Sequence, residues 1–555
     1  MKKSLILVAG LAALLLSGCS KDNGSATLIA DFTMTPNPAS AGQEVTFTPS
    51  ITGGEAPYTY SWSAVARGSQ EPLFTSSDET CSHTFESNGT YSVTFTVTDA
   101  AGASVQRQKN LVVNPAAVAQ TGELTLKWVV PMGGYVSGSA PAVYEGGDIV
   151  YAVCGKPDNN LYAINAGDGT VKWKKQLVSD TESSVKGIPS IDTDGNVYIL
   201  GGDQNSTAVF VSYSPDGNQR WSFDEWWAAN NVTPAPSVQS VIPAINGDFV
   251  YIGNTGTSGT IFSVDRATGN KVNQCKNADG GGPAGGARNG VAISNDGVLS
   301  WFGGIYQLFG LSQEAMDEEG DGVVPLWSKM SEWGNASMNA VGGIAVANVG
   351  GKSCVCGLYP QNGGTVLYAA ECKTGNEVVR YTIPDTGEQD GGGVSVTEDG
   401  YLVAGLNYTL GQDNGGILVY DLQNNKEVAR YKVQEKVAGT PAIDAAGNIH
   451  FATEEGSYYI VKLDGEDFEL LVKRDIAGLI TSDQRYSSDF SKLTVAKMWS
   501  SPVIADDGTV YISFTDDAVR TIAGTVAIGY EGTEGPSDSE WPMLGQNAQH
   551  TSVQP

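Results

Sequence analysis

A hairpin motif repeated along most of the chain constrains the fold more than any other feature. It is clearest at Leu161–Trp173 (LYAINAGDGTVKW): a strand Leu161–Asn165, a tight turn Ala166–Gly169, and a second strand ending on Trp173. Alternating apolar residues before the turn, with Val171 and Trp173 after it, predict two antiparallel strands sharing one buried face. Gly167 and Gly169 offer the positive φ that such a turn requires. A lone hairpin cannot bury its own apolar face, so copies must stack.

From residue 124 one order recurs: a first strand of small/Pro-Ala-Val/Ile type, an Asp-Gly or Gly-Gly turn, a Val-Tyr-rich strand, then the hairpin. Taking Pro141, Pro189, Pro243, Val291, Ile344, Val394, Pro441 and Pro502 as equivalent gives spacings of 48, 54, 48, 53, 50, 47 and 61 residues. Such periods fit four-stranded propeller blades with extended loops, stacked radially so that each covers its neighbour's apolar face. Eight copies predict eight blades. Lys127-Trp128 matches the hairpin end Lys172-Trp173 yet precedes the first full copy, and the last copy lacks a Trp-ending fourth strand. The expectation is an all-β chain whose eight-bladed propeller, residues 124–555, is closed by its own N-terminal strand.

Ahead of the repeats, residues 28–114 carry short alternating strands divided by turns such as Thr52-Gly53-Gly54, the pattern of a β-sandwich. The pieces Tyr60-Ser61-Trp62, His83-Thr84-Phe85 and Asn88-Gly89-Thr90-Tyr91 look like a PKD-type domain, departing from it where Ser63-Ala64-Val65 follows the Trp. The resemblance implies a spacer or interaction module, with Trp62 and His83 as packing residues. Residues 115–123 read as a linker.

Lys2 and Lys3 precede an apolar run, Leu5–Leu16, too short to span a bilayer. Leu16-Ser17-Gly18-Cys19 resembles the lipobox of bacterial lipoproteins, which implies a signal peptide over 1–18, lipidation of Cys19 and a tether over 19–27. The expected location is the outer membrane or cell surface, facing outward or into the periplasm, with the lipid as the membrane contact. Outside the cytosol disulfides persist. An antiparallel register turning near Gln361–Gly363 brings Cys372 close enough to Cys354 to form one.

The phrases LYAINAGDGTVKW, Val211–Trp221 and Ile261–Val272, with the tail Trp541–Thr551, resemble the repeats of PQQ-like (quinoprotein-like) propellers over 124–555. That resemblance implies fold more than function. Quinoprotein dehydrogenases commonly pair two adjacent cysteines, and this chain has none, which argues against PQQ as a cofactor. Asp317–Gly322 is the best Ca²⁺ candidate, but it falls at a hairpin turn without EF-hand spacing and reads as a solvated acidic turn. His83, His450 and His550 lie in three regions, too scattered for a catalytic triad. A net charge of −29 excludes a nucleic-acid backbone as partner.

In a propeller the outer-to-inner connections gather at one mouth of the central channel. Here they are long and aromatic, carrying Trp226, Trp227, Trp333, Tyr486 and Trp499, with Arg288, Asp390 and Lys497 close to the inner strands. Aromatics in such loops form stacking platforms for sugars or anchors for proteins. The expected function is a non-catalytic envelope lipoprotein binding a glycan or a surface protein. The alternatives are an envelope-assembly scaffold and a polysaccharide-active or quinone-dependent enzyme.

Overall fold

The computed structural model describes residues 27–555 apart from 38, 41, 67–70, 87–88, 115–121, 137, 180–184, 202–208, 224–241, 254–260, 276–287, 304–306, 321, 330–342, 362–363, 385–391, 408–414, 517–518 and 520. Two compact units divide the chain between Ala119 and Gln120. No helix of the described residues is long and apolar enough to cross a membrane.

In the first unit, Ile29–Thr35, Glu44–Thr52 and Cys81–Thr84 form one sheet, and Ala39–Ser40, Ser104–Asn114, Gly89–Thr98, Thr59–Ala66 and Pro72–Ser76 form the other. The edge strands Ala39–Ser40 and Pro72–Ser76 have little apolar alternation and were not legible in the sequence. Val93, Phe95 and Val97 point into the core with Phe32, Phe47 and Trp62, the period of two expected for a half-buried sheet. Trp62 stacks on Phe95 at 4.1 Å and donates its indole N–H to the Asp78 carbonyl at 2.9 Å. His83 packs against Phe74 at 4.6 Å and Phe85 at 4.8 Å, and burial lowers its pKa. Both are packing residues.

The second unit has a propeller-like fold. Among the described residues its strands pair into eight sheets. Seven are four-stranded antiparallel meanders whose first strands are Ala142–Tyr144, Ser190–Ile191, Ala244–Asn246, Arg288–Ile293, Ala345–Val349, Val394–Val396 and Ala442–Ile443. The eighth joins Ala496–Lys497, Val503–Ile504, Val510–Asp516 and Ala523–Gly529 to Thr125–Met132, the strand that precedes the other seven sheets. First strands of successive sheets touch one another. Apolar side chains fill the space between neighbours: Tyr198, Leu200, Phe210 and Trp221 of the second sheet pack on Ile245, Val250, Ile252 and Phe262 of the third.

The repeated Trp and Gly have one joint purpose. The indole N–H groups of Trp128, Trp173, Trp221 and Trp327 donate to carbonyls of Ala166, Pro215, Arg266 and Cys372, each in the hairpin turn of the next sheet, at 2.7, 2.7, 3.1 and 2.7 Å. Opposite the rings stand Gly169, Gly217, Gly269 and Gly375, all at positive φ, where a Cβ would approach the indole to 2.8, 2.9, 2.5 and 2.5 Å. Glycine is needed for conformation and for space alike. Of the two turn glycines read from the sequence, only Gly169 takes a positive φ. At the third sheet Gln274 replaces the indole, its Nε2 donating to the Glu318 and Glu319 carbonyls at 2.9 and 3.1 Å. The acidic turn weighed as a Ca²⁺ loop therefore serves as a docking turn through its backbone.

Candidate binding face

Strands in a four-stranded meander alternate in direction. Connections from a fourth strand to the next first strand thus share one end with the turns between second and third strands. On that end the structure brings together two of the expected residues. Lys497 pairs with the Glu454 carboxylate at 3.3 Å and lies 4.5 Å over the ring of Trp499. Trp499 in turn meets Tyr135 edge-to-face at 5.4 Å. Lys497 ends the short strand Ala496–Lys497, which pairs with Val510–Asp516 of the eighth sheet, Glu454 sits in the seventh sheet's second-to-third turn, and Tyr135 follows Thr125–Met132. The group thus draws on three separate segments of the chain, and both Lys497 and Trp499 are half-buried.

Behind it lies a network that sequence reasoning missed. Glu435 is buried and accepts from Lys473 at 3.0 Å, Thr453 at 2.6 Å and Tyr459 at 3.1 Å, with Lys473 4.6 Å over the Tyr459 ring. A buried carboxylate requires such pairing. Glu455 is less well served. Burial, with Glu435 and Glu454 nearby, outweighs its hydrogen bond from the Lys436 N–H at 2.8 Å, and its pKa rises to about 7. The signal available was the Glu454-Glu455-Gly456 turn lying beside the long connection, which only register could bring to Lys497.

The remaining candidates fall elsewhere. Tyr486 lies under the Arg485 guanidinium at 5.0 Å, and Arg485 donates to the Leu126 and Lys127 carbonyls at 2.8 and 3.0 Å. It thus sits against the outer strand of the eighth sheet. Arg288 opens the strand Arg288–Ile293, with only its backbone described. Trp226, Trp227, Trp333 and Asp390 lie outside the described residues, as does Cys19.

The proposed Cys354–Cys372 disulfide is not formed: both are free thiols, as is Cys356. Cys354 opposes Glu371 in the strand register, while Cys372 donates its N–H to Ser353, one place out of line. Burial pushes the Cys354 and Cys372 thiols up to about 12, and Cys356 is raised as well. His450 is also interior, its ring bridging Asp444 at 3.1 Å and Tyr458 at 2.9 Å with no exposed surface. Among the described residues no three His, Cys, Asp or Glu side chains are grouped to hold a metal ion.

Known proteins place this geometry in context. Residues 29–113 match the PKD domain, and residues 99–287 match the model of the outer membrane protein assembly factor BamB. The chain is thus a PKD domain followed by a BamB-like region of PQQ-type repeats. Among solved structures it is similar to a europium-containing methanol dehydrogenase (13% identity over 73% of this chain and 93% of that one, TM-score 0.51). A quinohemoprotein alcohol dehydrogenase from Pseudomonas putida HK5 is similar at 14% identity over 74% and 77%, TM-score 0.50. BamB from Moraxella catarrhalis aligns at 12% over 73% and 99%, TM-score 0.47. At these identities the likeness concerns the fold alone. No curated protein matches the sequence.

Proposed function

We propose that this chain is a cell-envelope lipoprotein, anchored through Cys19, whose propeller binds a glycan or a surface protein on the face holding Trp499, with the PKD domain as spacer. The observation that carries the reading is the Tyr135–Trp499–Lys497–Glu454 group. A half-buried aromatic beside a paired cation and carboxylate offers a stacking surface and directional hydrogen bonds, the combination that recognises a sugar ring or a protein anchor. The eight sheets act as blades, and Thr125–Met132 completes the last of them to close the ring. Its pairing with Ala523–Gly529 supports this.

The test is affinity and melting temperature measured on the same preparations of Trp499→Ala, after a glycan array and envelope pull-down have supplied a ligand. Loss of a stacked aromatic costs on the order of 1–3 kcal/mol, roughly tenfold to a hundredfold in affinity. A lowered melting point with no separable change in binding would place Trp499 in the core and end the proposal. The match to the BamB model supports a second reading, a scaffold in envelope assembly. Co-purification with an outer-membrane protein complex, and no glycan binding, would favour it.

A further inference from the structure

The stretch after the last strand belongs to no sheet, yet Trp541, Met543, Leu544, His550, Ser552 and Gln554 are each buried to 5% exposure or less. Leaving the eighth sheet at Gly529, it bonds to the first strands of the other seven. Val143, Ile191, Ile245 and Ile293 donate their N–H groups to carbonyls of Ala548, Gln549, Thr551 and Ser552 at 2.8, 2.9, 2.9 and 2.8 Å. Val396 and Ile443 donate to Trp541 and Pro542 at 2.7 and 2.9 Å. In the fifth sheet the Asn348 N–H donates to the Glu540 carboxylate. Gln554 Nε2 reaches Glu540 Oε1 at 3.3 Å, so the far end of the stretch meets its own beginning.

These contacts solve a definite problem. A first strand pairs with its own sheet along one edge only, and its other edge presents backbone donors that are costly to bury unpaired. The six amides occupy one repeated position, each after a small residue: Ala142, Ser190, Ala244, Ala292, Ser395 or Ala442. That small residue is the signature the repeats carry at their inner edge. The stretch also holds Gln546, His550 and Ser552 at φ of 78°, 58° and 58°, a region L-residues seldom adopt and keep only where surroundings dictate it. His550 Nδ1 donates to the Pro189 carbonyl at 2.9 Å, fixing one such turn.

We infer that Gly535–Gln554 is a strap: it ties the first strands together by satisfying their inner edges, and it is separable from the sheets it ties. A chain ending at Gly532 then melts lower by on the order of 5 °C or more. Amide exchange at Val143, Ile191, Ile245, Ile293, Val396 and Ile443 accelerates at least about tenfold. A synthetic peptide covering residues 533–555 restores both. An unchanged melting point, unchanged exchange at these amides, or a folded truncated chain that ignores the peptide overturns the inference. If the truncated chain does not fold, a protease site inserted between the exposed Glu531 and Gly532 is cut after folding of the full chain. The severed strap must then persist through gel filtration and leave in mild denaturant while the β-sheet circular dichroism remains. Release only together with global unfolding refutes separability.

Discussion

The indole N–H of Trp128 donates to the carbonyl oxygen of Ala166 at 2.7 Å. Trp128 is paired within the eighth sheet, and Ala166 is in the hairpin turn of the first. Trp128→Ala removes a ring that is 1% exposed, an expected loss of about 3–5 kcal/mol. Deleting Leu124–Val130 should cost more, whereas deleting residues 28–114 should leave the second unit folded. Equal denaturation midpoints for the parent and Trp128→Ala would sink the closure we propose.

Acid should loosen the strap through His550. Burial holds its imidazole pKa down at about 4, from an ordinary 6.5. The unfolded chain therefore takes up a proton before the folded one does. The stability this contributes, on the order of 3 kcal/mol, is present above pH 6.5 and is lost as pH falls through 4. Denaturant titrations at pH 7 and pH 4.5 measure it. His550→Gln should flatten the difference, and an equal slope in parent and variant would contradict the assignment.

Glu455 acts in the opposite direction. Its pKa is raised from 4.5 to about 7, so its contribution is most favourable below pH 4.5 and is lost as pH rises through 7. Partial exposure to solvent screens the effect to on the order of 1–2 kcal/mol. Glu455→Gln should therefore gain stability relative to the parent at pH 8 and little at pH 5. A gain of equal size at both values would show that the carboxyl is ionised throughout.

Cys354, Cys356 and Cys372 should resist a thiol reagent at neutral pH in the native protein and react together on unfolding, because the thiolate is the nucleophile and burial disfavours it. Mass spectrometry after non-reducing alkylation in denaturant reads the pairing directly. A mass two hydrogens short across Cys354 and Cys372 would restore the disulfide.

Anchoring is tested at Cys19. Cys19→Ala should abolish lipid labelling and move the protein from the membrane fraction to the soluble one. A variant that stays with the membrane would remove the lipobox reading.

The repeat and the β-sandwich could be read from the chain because each is written in local spacing. Alternation declares a strand, and a Trp a fixed distance after a Gly turn declares a hairpin end. Other features depend on which residues a register or a crossing brings together. The sequence put Cys354 and Cys372 within reach of each other, but a one-residue offset set Glu371 opposite Cys354. Lys497 and Trp499 were visible as loop residues, while their partners Glu454 and Tyr135 came from connections 43 and 364 positions away. The tail resembled a family motif, yet its path along seven first strands was invisible, because main-chain carbonyls supply most of those bonds and every residue carries one. Side-chain periodicity determined the sheets. Backbone hydrogen bonding between distant segments, which leaves no pattern in residue type, decided how they are held together.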